Sequence, residues 1–94
     1  MTHDVVVIGA GVSGLTTAYD LVAQGYDVQV LERQVTIGGN AISERFDGFL
    51  MEHGPSTLNA SVNGAKELIE ALGLGETAGE LGPNVQKRYL VGED

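Results

Sequence analysis

The sequence predicts an α/β fold, a strand-helix-strand unit on a parallel sheet, and three observations predict it. A β-branched run, Val5, Val6, Val7 and Ile8, is followed at once by a glycine cluster. Behind the cluster, Leu15, Ala18, Leu21 and Val22 recur at helical spacing. A second apolar segment, Asp27, Val28, Gln29, Val30 and Leu31, then alternates like a strand and ends on an acid, Glu32. An unbroken β-branched run suits a strand buried on both faces, with helices above and below. Joined by the helix, the two strands make a right-handed βαβ unit.

The junctions of that unit carry the chemistry. Gly9, Ala10, Gly11, Val12, Ser13 and Gly14 stand between strand and helix. A pyrophosphate approaching the N-H groups at a helix N-terminus needs backbone without side chains in the way. Gly9 permits the tight turn, Gly11 lets phosphates come close, and Gly14 lets the helix pack on the strand. Free N-H groups around Val12 to Leu15 and the helix dipole favour the anion. Glu32, eighteen positions beyond Gly14, is placed to accept hydrogen bonds from an adenosine ribose, and its charge disfavours NADP. The pattern is a Rossmann-like dinucleotide-binding fingerprint; by itself it leaves NAD and FAD both open. Gly25 is placed to cap the helix in the left-handed conformation.

Beyond Glu32 the periodicity lapses. Gly38 and Gly39 predict a glycine loop, and Asn40 to Leu50 an irregular hairpin turning at Asp47 and Gly48. His53, Gly54, Pro55, Ser56 and Thr57 form a second loop, in which His53 reads as a hydrogen-bonded structural residue. Phe46, Phe49 and Met51 share one strand face and read as core. A helix is expected over 61–72, with Ala65, Leu68, Ile69 and Leu72 as its apolar stripe and Gly73 and Gly75 ending it. Gly79, Gly82 and Pro83 punctuate a loop before a strand at Tyr89 to Val91. The pair Lys87 and Arg88 reads as a solvated face. One βαβ unit supplies only one neighbour to a strand that wants two, so the parallel sheet is incomplete in these 94 residues and a longer protein is expected.

Composition narrows the partners. The formal net charge is −8, the acids are spread along the chain, and no basic patch exists, which excludes nucleic acid. There is no cysteine, hence no thiolate metal site or catalytic thiol, and no cluster of His and carboxylates has metal spacing. Redox work would need a bound cofactor. The start lacks the basic region of a secretion signal, and no apolar run approaches the roughly 18 residues that span a bilayer. Glu44, Asp47 and Glu52 have no fixed separation that would mark an acid-base pair, and the catalytic residues stay unassigned.

Residues 5 to 32 resemble the FAD form of the fingerprint. The run ERQVTIGGN, Glu32 to Asn40, resembles the second glycine motif of the superfamily of amine oxidases, phytoene desaturases and protoporphyrinogen oxidases. Asn40 stands where Arg is usual there, a departure shared with several protoporphyrinogen oxidases. DGFLMEHGPSTL, Asp47 to Leu58, is similar to the segment that leads into a Gly-Pro loop beside the flavin, and QKRYLV, Gln86 to Val91, to a protoporphyrinogen oxidase segment. The resemblance covers essentially the whole chain, as the N-terminal part of an FAD-binding domain without its substrate domain. It implies FAD as cofactor, with Gly39, Asn40 and the stretch Gly54, Pro55, Ser56, Thr57 joining Gly9 to Gly14 and Glu32 at the site. Arg33 would lie along the adenine or pair with acids. It further implies a tetrapyrrole-like small-molecule substrate and molecular oxygen as acceptor. The location implied is cytoplasmic, any membrane attachment being peripheral on the inner membrane. The alternatives are a phytoene desaturase-like or amine oxidase-like flavoenzyme, or a non-catalytic nucleotide-binding module.

Overall fold

The computed structural model describes residues 2–59, 61–62, 64–79, 81–83, 85 and 92. The chain divides into two compact units, Met1–Leu58 and Asn59–Asp94. The first begins with β1 (Val5–Ile8), α1 (Val12–Ala23) and β2 (Val28–Leu31). β1 and β2 pair in parallel, Val5 opposite Val28 and Ile8 opposite Leu31. Parallel pairing places the C-terminal ends of both strands at the same edge as the start of α1, where α/β folds bind ligands.

The helix lies on one face of the pair. Val5, Val7, Val28 and Val30 are half-buried on that side, as are Gly14, Leu15 and Leu21, and Ala18 is buried. The opposite face is open: Val6 is 51% exposed and Ile8 86%. This corrects the expectation of a strand buried on both faces. The β-branched run is there, but α1 covers one side only, and among the described residues no second layer packs on the other. Val22 is likewise exposed, because it sits on the flank of α1 rather than on the line through Leu15, Ala18 and Leu21. At its C-terminus α1 closes with Gly25 at φ 95°, its N-H donating to the Val22 carbonyl while that of Tyr26 donates to Leu21. That is the Schellman arrangement that Gly25 predicts.

Strands β3 (Ser43–Phe46) and β4 (Phe49–Glu52) form an antiparallel hairpin. It is regular where an irregular one was expected. Asp47 at φ 48° and Gly48 at φ 80° make the two-residue turn with both central φ positive, whose twist matches that of the strands. Phe46 faces Phe49 across the turn. These side chains are 66% and 68% exposed, so they are not core here. Phe46 ends β3 and Phe49 begins β4, so they are cross-strand neighbours and not members of one strand as expected, and no layer covers them among the described residues.

In the second unit, α2 (Ala65–Ala71) is shorter than the predicted 61–72. Gly64 at φ 89° delays its start, and Asn59 Oδ1 accepts from the Ser61 N-H at 3.0 Å, a local turn that competes with helix. Gly73 at φ 71° ends it, in a second Schellman arrangement with Leu74 donating to Ile69. Ala65, Leu68 and Ile69 are half-buried and Leu72 exposed. The strand expected at 89–91 and the basic pair Lys87 and Arg88 lie outside the described residues. Among the described residues no helix is long and apolar enough to cross a membrane.

Candidate dinucleotide-binding site

The site is built where β1 gives way to α1. Gly9 takes φ 99°, a conformation that favours glycine, and its N-H donates to the Leu31 carbonyl at 2.7 Å, tying the turn to the end of β2. Ala10 is 1% exposed, the best-buried residue of the described chain. Gly14 is dictated by packing. A Cβ there would overlap the Gly9 carbonyl oxygen and lie 3.0 Å from its carbon and 3.4 Å from Val7 Cγ1.

Gly11 differs from both. It has an ordinary extended backbone, φ −80°, and a Cβ on it would meet only Gly39 Cα, at 3.9 Å. Nothing among the described residues requires glycine at 11. A position where the folded chain leaves room for a side chain, inside a turn otherwise fixed by glycine geometry, is what an approaching phosphate would need.

Gly11 is also the N-cap of α1. No side chain caps this helix and its first turn holds no acid. Leu15 is the first residue of the helix to donate internally, at 2.9 Å to Gly11, so the N-H groups of Val12, Ser13 and Gly14 have no intrahelical acceptor. An uncapped N-terminus without carboxylates is suited to an anion. Ser13 is exposed and its carbonyl accepts from Thr17 Oγ1 at 2.9 Å.

Glu32 follows β2 at the same edge. Its Oε2 is buried and has no hydrogen-bond partner. A buried acceptor without a donor costs free energy, of order 1–3 kcal/mol and more when charged, which a ribose hydroxyl donating to it would recover. Arg33 beside it is exposed, and no carboxylate of the described residues pairs with it.

The second glycine motif packs against the first. The Gly38 N-H donates to the Ala10 carbonyl at 2.7 Å, and a Cβ on Gly39, itself at φ 61°, would fall 3.1 Å from Gly11 Cα. Asn40 then abuts the Gly-Pro loop: a Cβ on Gly54 would overlap the Asn40 carbonyl oxygen and sit 2.9 Å from its carbon. Pro55, Ser56 and Thr57 continue in exposed irregular backbone. His53 is held by the hairpin, its N-H donating to Ile42 at 2.8 Å and its Nε2 bonded to Glu44 Oε2 at 2.5 Å. That matches the structural reading of His53. The chain thus brings together Gly9 to Gly14, Gly39, Asn40 and Gly54. Sequence reasoning omitted Gly38 from the site; the glycine doublet was visible, but its bond to Ala10 joins positions far apart in the chain. No group of metal-ligating side chains exists among the described residues.

The family model of the NAD(P)-binding Rossmann-like domain matches residues 7–72. This chain belongs to that family. Within this Rossmann-like family, coproporphyrinogen III oxidase of Propionibacterium freudenreichii subsp. freudenreichii is 42% identical over 76% of the chain and 14% of its own length. The mitochondrial protoporphyrinogen oxidase of Nicotiana tabacum is 40% identical over 93% of the chain and 17% of its length. Wild-type putrescine oxidase bound to putrescine superposes with a TM-score of 0.71 at 32% identity, over 78% of this chain and 16% of that one. The chain therefore spans about a sixth of the length of the relatives it matches.

Proposed function

We propose that this chain is the ADP-binding segment for FAD in an oxidase of porphyrinogen-type tetrapyrroles, with molecular oxygen as acceptor. The observation that carries the dinucleotide part is the combination of an uncapped helix N-terminus beside an unconstrained Gly11 with a buried, unpartnered Glu32 Oε2. These residues fit an adenosine diphosphate moiety. When bound, the flavin supplies the two-electron redox chemistry. The chain's own residues bind and orient: the N-H groups of Val12 to Gly14 receive pyrophosphate, Glu32 receives the ribose hydroxyls, and Ala10 and Gly14 hold strand and helix together behind them. Gly39, Asn40 and Gly54 to Thr57 form the side of the site towards the rest of the cofactor. None of them is assigned a proton transfer.

The choice of porphyrinogen is supported by two relatives named for oxidising it. An amine as substrate is the second reading, supported by the likeness to putrescine oxidase. A cytoplasmic location with peripheral attachment to the inner membrane belongs to the same proposal. The test is an absorbance spectrum of the full-length protein followed by anaerobic addition of protoporphyrinogen, coproporphyrinogen or putrescine. A flavin spectrum that bleaches with a porphyrinogen and returns with air is expected. Bleaching by putrescine alone would replace the substrate class, and a protein without flavin would remove the FAD assignment.

A further inference from the structure

We propose that Gly54 is a positioning residue: through the backbone of Asn40 it holds the second glycine motif against the phosphate-binding turn, so that the β3–β4 hairpin sets the geometry at Gly11. This deepens the reading of residues 9–14 as a dinucleotide site and rests on it. A line of close approaches and hydrogen bonds leads from the hairpin to Gly11. His53 is locked to the hairpin by its N-H bond to Ile42 at 2.8 Å and its ring bond to Glu44. Gly54, the next residue, lies flush on Asn40, where a Cβ would overlap the carbonyl oxygen and stand 3.4 Å from Asn40 Cβ.

Asn40 has little freedom to yield. Its carbonyl accepts from the Ile42 N-H at 3.1 Å, and the neighbouring Gly38 carbonyl accepts from Ala41 at 3.1 Å. On the far side, Gly39 lies near enough to Gly11 that a Cβ on it would fall 3.1 Å from Gly11 Cα, and Gly38 is bonded to Ala10. Ala10 is buried and cannot retreat. Side chains can rotate out of a clash, whereas backbone closed by hydrogen bonds moves as a body. A displacement of Asn40 therefore reaches Gly11, the N-cap of α1. Gly48, by contrast, is a turn glycine at which an added Cβ would meet nothing within 4 Å, so crowding there has no such route.

The test uses the full-length protein depleted of cofactor, so that loop geometry is read without ligand contacts. Amide hydrogen exchange of residues 9–15 and 38–40 is compared in wild type, Gly54→Ala and His53→Ala, and FAD affinity is then measured by titration. Gly54→Ala is expected to speed exchange at the Gly38 N-H and to weaken FAD binding on the order of tenfold. His53→Ala, which removes the ring bond to Glu44 without adding bulk and keeps the backbone bond to Ile42, is expected to do the same to a smaller extent. Folded Gly54→Ala with unaltered exchange at Gly38 but weakened FAD binding would overturn the proposal in favour of direct contact. If Gly54→Ala does not fold, His53→Ala decides, and unchanged exchange at Gly38 overturns it. Neither readout involves a substrate, so an error in the porphyrinogen assignment would leave this result standing.

Discussion

Gly14→Ala sets two elementary effects against each other. Gly14 is the third residue of α1 and has no positive φ, so alanine suits its backbone and by helix propensity alone would stabilise by up to about 1 kcal/mol. The added Cβ, however, overlaps the Gly9 carbonyl oxygen and lies 3.0 Å from the carbonyl carbon. Carbon atoms prefer about 3.5–4.0 Å, so α1 must withdraw from the turn by at least roughly 0.5 Å. Gly9 cannot move instead, since its N-H is bonded to Leu31 at 2.7 Å and its φ is fixed at 99°. Overpacking against backbone costs about 1–3 kcal/mol, which exceeds the propensity gain. The net expectation is a loss of about 1–2 kcal/mol. The assay is urea or thermal denaturation of cofactor-free full-length protein. At this loss a domain of 150–250 residues drops by roughly 2–4 °C per kcal/mol. Gly14→Ala equal to or more stable than wild type would refute the packing argument and leave propensity in charge.

Three further perturbations separate ligand roles from structural ones. Gly11→Ala meets only ordinary contact at 3.9 Å, so denaturation should change by less than about 0.5 kcal/mol while titration shows FAD affinity severely weakened; a stability loss instead would make Gly11 structural. Glu32→Gln should leave stability unchanged or raised, because a buried carboxylate oxygen without a partner loses its charge, yet weaken FAD binding roughly 10- to 100-fold through loss of charged hydrogen bonds worth about 1.5–3 kcal/mol. Both quantities falling together would contradict the orphaned-acceptor account. Gly25→Ala, in open space at φ 95°, should cost about 1–2 kcal/mol from left-handed backbone strain alone, with FAD affinity per folded molecule unchanged.

The βαβ unit was legible because its signals are local. The period of Val5 to Ile8, the helical spacing from Leu15 and the cap at Gly25 each act within a few residues, and each is present in the structure. The hairpin was legible as a hairpin but not as a regular one, although Asp47 and Gly48 are the residues that the tight two-residue turn demands. Burial was the poorest reading. Hydrophobic pattern tells which face of Val6, Ile8, Phe46 or Phe49 can be covered, and the covering layer must come from somewhere else in space.

The site shows the same division at finer grain. Four glycines that look alike in the sequence are glycine for different reasons: Gly9 for its positive φ, Gly14 for helix-strand contact, Gly39 for positive φ and close approach together, and Gly11 for nothing among the described residues. Only the first two reasons follow from position in the fingerprint. That Gly39 meets Gly11, and Gly54 meets Asn40, depends on how three loops stack, which no spacing rule encodes. Gly11 is therefore the most informative residue of the set. A side chain could be accepted at the uncapped start of α1, and a buried carboxylate oxygen without a donor stands after β2; both features fit the proposed partner, one with an anion for α1 and hydroxyls for Glu32.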